Sequence, residues 1–148
     1  MKPRNKSKTV YVDAKILGRH DPNLPHKAYV GYFVDGGGRS DAKGVNAEES
    51  DDAEVEAILF AIEGLAGAFA HMTIVCDHQS VVSEANRRDV KKSSSRMQEL
   101  RNILRLNRSS IKLKALKANP AHKVVTEYVN KLKGQDREIG EVLNDLEA

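Results

Sequence analysis

The apolar period of this chain first changes at Ser50, and that change limits the folds open to it. Before Ser50 the apolar residues come in short runs of strand length: a first strand over roughly 9–16 ("TVYVDAKI"), then "AYVGYFV" over 28–34, then the weaker "RSDAKGVN" over 39–46. "GRHDPNLPHK", with two prolines and a glycine, reads as the loop after the first strand. "DGGG" between the second and third fits a hairpin turn, where glycine supplies positive φ angles. Three antiparallel strands therefore open the chain.

After Ser50, Val55, Ile58, Leu59, Ile62 and Leu65 follow helical spacing. Ser50, Asp51 and Asp52 offer N-cap oxygens, and Gly64 and Gly67 mark the other end. "MTIVC" is a strand, followed by a short helix from near His78 and a second helix carrying Met97, Leu100, Ile103 and Leu104. "IKLKALKA" alternates like a strand, and Val125, Tyr128, Val129 and Leu132 define a helix after Pro120. Gly134 is expected to separate a last amphipathic helix with Ile139, Val142, Leu143 and Leu146. The order βββαβααβα, plus that helix, predicts an α/β fold: a five-stranded mixed sheet, three antiparallel strands plus two parallel, with helices on both faces. The 148 residues suit one domain, divided into a basic tail (1–8), a body (9–133) and a C-terminal helix (134–148).

The single cysteine, Cys76, excludes a disulfide scaffold and reads as a small core residue. The longest apolar stretch, "AILFAIEGLAGAFA", is interrupted by Glu63 and too short to span a bilayer. No basic start leads into an apolar signal segment, so the expectation is a soluble, cytoplasmic, monomeric protein with no membrane partner. Charge is unevenly placed. From Arg87 to Lys123 twelve Lys/Arg face two acids, whereas Glu48 to Glu63 holds seven acids and no Lys/Arg. Such a pairing suits a protein that grips a polyanion with one surface and cations with another.

Three acids stand where a core would not place them. The first apolar run ends at Asp13, Asp77 ends "MTIVCD", and Glu54 lies in the first turn of an apolar-faced helix. Sites in α/β sheets gather at the carboxyl ends of strands. If the two strands are parallel neighbours, Asp13 and Asp77 lie side by side and Glu54 reaches the same place. Clustered carboxylates repel unless a proton or cation lies between them. With few His or Cys ligands at hand, the set suits Mg²⁺ or Mn²⁺ rather than zinc. Beside a basic surface, that combination points to phosphodiester chemistry.

These residues carry a resemblance to the ribonuclease H superfamily, type 1, over about 9–133. "VYVDA" resembles the family's first strand and places its first metal-binding aspartate on Asp13. "AEVEAILFAI" is similar to the family helix A-E-L-x-A-x-x-x-A-L, with its glutamate on Glu54. "IVCDHQSVV" resembles T-D-S-x-x-V-V, with the second aspartate on Asp77. His78 stands where that family commonly has serine, and Ser50 and Asp51 stand where two asparagines contact the nucleic-acid backbone.

The resemblance implies a metal-dependent endonuclease cutting the RNA strand of RNA–DNA hybrids by a two-metal-ion mechanism. One ion would activate water and the other stabilise the leaving 3′-oxygen. Asp13, Glu54 and Asp77 would be the metal ligands and catalytic acids. Arg87, Arg88, Lys91, Lys92, Ser50 and Lys15 would contact nucleic acid. The fourth acidic position is degraded: the closing pattern N-x-x-A-D-x-L-A aligns on "HKVVTEYV", setting its asparagine on His122 and its aspartate on Thr126. Asn130 shares that helix face, whereas Glu127 projects about 100° away. His122 is read either as a proton carrier or, preferentially, as a helix-start residue without a role. Two alternatives stand beside the hybrid nuclease: a catalytically weak or silent nucleic-acid-binding module, and a nuclease of this fold acting on another nucleic acid.

Overall fold

The computed structural model describes residues 7–17, 24–36, 39–87, 93–117 and 119–147, with side chains described as far as Gly134. Strands β1 (Ser7–Ile16), β2 (Ala28–Val34) and β3 (Ser40–Val45) precede helix α1 (Ser50–Gly64). Then come β4 (His71–Cys76), α2 (Gln79–Asn86), α3 (Ser95–Leu106), β5 (Ile111–Ala115) and α4 (Ala121–Glu147). The sheet order is β3-β2-β1-β4-β5. β1, β2 and β3 pair antiparallel, and β4 lies parallel to both β1 and β5. β1 begins at Ser7, two residues before the expected start.

Side chains alternate across the sheet, as the two-residue strand period requires. Val10 and Val12 of β1, Val30 of β2 and Ile74 of β4 point to one face, where they pack with Ile58 and Leu59 of α1 and Leu100 of α3. α1 lies between the sheet and α3, so it is buried on more than a single stripe: Ala53, Val55, Ala57, Ile58, Leu59, Ala61 and Ile62 are all inside. Each large aliphatic side chain buried this way contributes about 1.5–3 kcal/mol. The opposite face carries a smaller core of Leu24, Tyr29, Val125 and Val129 under α4.

One glycine sets how closely α4 approaches. A Cβ on Gly31 would lie 2.8 Å from Val125 Cγ2 and 3.1 Å from the Asp41 carbonyl. Only glycine lets the helix settle on β2 there. Gly31 is also the register partner of Asp13. The contact that seats Val125 therefore carries the first turn of α4 over that acid.

Two local expectations differ from what is observed. The N-cap of α1 is Glu49 and makes no side-chain capping bond; Ser50, Asp51 and Asp52 already belong to the helix. Gly134 does not end a helix, because α4 runs through it to Glu147. A mid-helix glycine costs only about 1 kcal/mol, less than a continuous turn ladder can absorb. The expected hairpin turn does contain a left-handed glycine, Gly36, at φ 68°.

Candidate active site

The parallel register Tyr11↔Val75, continued two residues, sets Asp13 level with Asp77 on neighbouring strands. Asp13 belongs to the α4 face of β1, and it is almost wholly buried. Glu54 comes from the opposite side, one turn into α1, and it too is buried. Asp77 is the first residue beyond β4 and is exposed. Ligand atoms of Glu54, Cys76 and Asp77 all lie within 4.8 Å of one another.

The three carboxylates feel each other. Burial, above all, raises Asp13 above the ordinary carboxylate range; His122 opposes this as a hydrogen-bond donor, and the Asp77 charge adds to it. Glu54 is pushed to about 8, first by burial and then by the charges of Asp13 and Asp77. The Cys76 thiol donates to Glu54 Oε2 at 3.2 Å and partly offsets that rise. Burial, with Glu54 nearby, drives the thiol itself far up, so it stays protonated. It is a donor to the site's glutamate rather than a thiolate ligand.

Asp13 has a second neighbour. His122 Nδ1 lies 2.9 Å from Asp13 Oδ2, although the imidazole is 71% exposed. His122 at the start of α4 thus touches the first of the three acids. Its placement traces to Asn119: the side-chain amide donates to the Val12 carbonyl at 2.6 Å while Oδ1 accepts from Ala121 N–H at 3.0 Å. One side chain both caps α4 and fastens it to β1 next to Asp13. Sequence reasoning passed over Asn119, yet asparagine followed by proline at a helix start is an N-terminal signature.

Among the described residues, the other α4 candidates make no hydrogen bond or ion pair with the three acids. Glu127 is exposed and faces Lys123 at 3.9 Å. Asn130 is exposed. Thr126 is half-buried, and its Oγ1 is a buried atom with no hydrogen-bond partner. Asp51 and His78, both departures from the family pattern, meet each other: His78 Nε2 lies 3.2 Å from Asp51 Oδ1. Ser80 Oγ lies 3.1 Å from His78 Nδ1. The misplaced acid thus has a local partner.

Of the residues expected at nucleic acid, Ser50 opens α1 and is exposed, and Lys15 lies two residues past Asp13 on the same side of β1. Arg87 is the exposed C-cap of α2. Arg88, Lys91 and Lys92 lie outside the described residues.

Neither a protein-family model nor a curated sequence matches the chain. Solved structures do. LC11-RNase H1 in complex with RNA/DNA hybrid aligns with a TM-score of 0.65 at 17% identity, over 84% of this chain and 97% of that one. The chain has the ribonuclease H fold. The RNase H1 of the halophilic archaeon Halobacterium salinarum NRC-1 aligns at 0.61 and 19% identity, over 85% of this chain and 99% of that one. A second LC11-RNase H1 structure, from a protein isolated from compost by a metagenomic approach, aligns at 0.61 and 18%, over 84% and 96%. The ribonuclease H fold thus accounts for nearly the whole length of each neighbour. Its mixed sheet, with helices on both faces, is the architecture expected from the sequence.

Proposed function

We propose that the chain is a divalent-metal-dependent endonuclease that hydrolyses the RNA strand of RNA–DNA hybrids. One observation carries the reading: within a ribonuclease H fold, Glu54 and Asp77 approach to ligand-sharing distance and Asp13 couples electrostatically to both. A neighbour of the same fold is described with an RNA/DNA hybrid, which supports the choice of substrate.

The donor set fits Mg²⁺ or Mn²⁺. It offers hard carboxylate oxygens, and its one thiol stays protonated and turned toward Glu54. Burial and mutual repulsion hold Glu54 near 8, a strain that a divalent cation relieves. Asp13, Glu54 and Asp77 are the residues that would hold the two ions, which when bound supply an activated water and charge stabilisation for the leaving 3′-oxygen.

The protein's own groups do the rest. Asn119 and Gly31 fix α4, and α4 fixes His122 against Asp13. An exposed imidazole anchored through Nδ1 is suited to carrying protons at the edge of the site. Ser50, Lys15 and Arg87 would meet phosphates, with selection by helix shape and 2′-hydroxyls rather than by base sequence.

A second reading, a weak or silent nucleic-acid-binding module, is favoured by Thr126. It brings no charge, and Glu127 is turned to Lys123 instead. A labelled-hybrid assay with Mg²⁺ or Mn²⁺, run beside duplex RNA and duplex DNA, separates the readings. RNA-strand cleavage confined to the hybrid and stopped by chelator supports the endonuclease. Binding without cleavage under every metal supports the module, and preferential cutting of another duplex points to a different nuclease of this fold.

A further inference from the structure

Cys76 is the chain's one cysteine and is fully buried. Its sulfur is held from two sides. The thiol donates to Glu54 Oε2 at 3.2 Å, and the backbone N–H of His78 donates to the same sulfur at 3.4 Å. One atom therefore joins α1, which carries Glu54, to the turn after β4, which carries Asp77.

The sulfur is also well anchored. Cys76 pairs with Ala115 of β5, and its carbonyl accepts from Leu116 N–H at 3.1 Å. Backbone bonds thus fix the residue whose side chain meets the glutamate. Among the described residues, Cys76 is the one side chain that hydrogen-bonds to Glu54; the backbone of Ala14 also contributes. A thiol is ordinarily a weak donor. Here the acceptor is a carboxylate, which can only accept once ionised, and the His78 N–H polarises the S–H group from behind.

We propose that Cys76 is a positioning residue of the cation centre: its thiol holds the Glu54 carboxylate in the orientation, and at the spacing from Asp77, that a hard divalent cation requires. The proposal rests on the metal-dependent function proposed above. The thiol occupies one lone pair of Oε2 and leaves the rest of the carboxylate for the cation. It narrows the rotamers open to Glu54 before any ion arrives, so binding has less ordering left to do. Groups that orient a ligating side chain in this way typically carry about 10–100-fold of metal affinity.

The test compares Cys76→Thr with Cys76→Val. Both place the same branched shape at a buried strand position, and they differ in one hydroxyl able to donate to Glu54. Binding of Mg²⁺ and of Mn²⁺ is read by calorimetry without nucleic acid. Cys76→Thr should bind nearly as well as wild type, whereas Cys76→Val should bind about 10–100-fold more weakly. A packing role alone predicts equal affinities for the two. A second measurement needs no variant at Cys76. With a single cysteine, the infrared S–H stretch reports this thiol alone. In alkaline chelator buffer the band should shift to higher frequency in Glu54→Gln. Mg²⁺ added to wild type should shift it the same way, since each change takes charge from the acceptor.

Equal cation affinity in Cys76→Thr and Cys76→Val overturns the proposal, as does an S–H band indifferent to both Mg²⁺ and Glu54→Gln. If wild type binds neither cation, the metal centre falls and the positioning role falls with it. If Cys76→Val alone binds weakly and wild type cuts no hybrid, the positioning role stands and the endonuclease is discarded.

Discussion

Replacing Glu54 with glutamine should make the metal-free protein more stable in alkaline solution while changing little in acid. In the folded chain Glu54 rises from 4.5 to about 8, with burial as the main cause and the charges of Asp13 and Asp77 next. Below pH 4.5 both folded and unfolded chains hold the proton, so the shift contributes nothing. As pH rises from 4.5 toward 8 the unfolded chain releases its proton first, and the folded state loses stability progressively. Above about 8 the loss is complete. At about 1.4 kcal/mol for each tenfold change it amounts to about 5 kcal/mol, or on the order of 10–20 °C in melting temperature for a chain of this size. Asp13, also raised, adds in the same sense. Glu54→Gln keeps an acceptor for the Cys76 thiol but cannot ionise. Urea unfolding in chelator, at one pH below 4.5 and one above 8, should show wild type weakening far more than the variant. Added Mg²⁺ should restore wild type at the higher pH and leave the variant nearly unmoved. Parallel loss of stability in the two chains would overturn this linkage.

Gly31→Ala should destabilise the fold by about 1–3 kcal/mol, read by urea unfolding, because the new Cβ would meet Val125 Cγ2 at 2.8 Å. Asn119→Ala should cost about 1–2 kcal/mol by removing both the cap and the tie to Val12. It should also lower kcat on hybrid more than it raises KM, since it loosens His122; unchanged kcat would leave Asn119 purely structural. Thr126→Asp should raise the cleavage rate and lower the Mg²⁺ concentration needed, by returning a negative charge beside the acids. If that variant is no better and Glu127→Ala is inactive, Glu127 is the fourth ligand despite its pairing with Lys123.

What the sequence made legible was whatever depends on local period. "AYVGYFV" is β2 residue for residue, and Ile58, Leu59 and Ile62 are inside as their spacing requires. The meeting of Glu54 and Asp77 was readable because each closes or opens an element whose direction the topology fixes. The Cys76 contact was readable too. Cys76 shares a face with Ile74, toward α1, and alternation along β4 could have placed it near Glu54. Other features depend on how separate elements dock. His122 reaches Asp13 because Gly31 admits Val125 and Asn119 ties α4 to Val12, relations across about ninety residues or more that no local pattern expresses. Asp51 looks wrong beside phosphate until His78, from another element, is found against it. The absence of a side-chain cap on α1 and the continuation of α4 through Gly134 reflect packing and ladder continuity outweighing single-residue preference.

Whether Asp13, Glu54 and Asp77 form one cation-dependent centre for cutting RNA in a hybrid is decided by single-turnover cleavage. An end-labelled RNA–DNA hybrid is given to wild type and to Asp13→Asn, each with Mn²⁺ and with chelator. Wild type should yield RNA-strand products with Mn²⁺ alone. Asp13→Asn should yield none, and its circular dichroism should match wild type because the substitution relieves repulsion in the site. Equal cleavage by the two proteins, or cleavage by wild type in chelator, would contradict a shared metal centre.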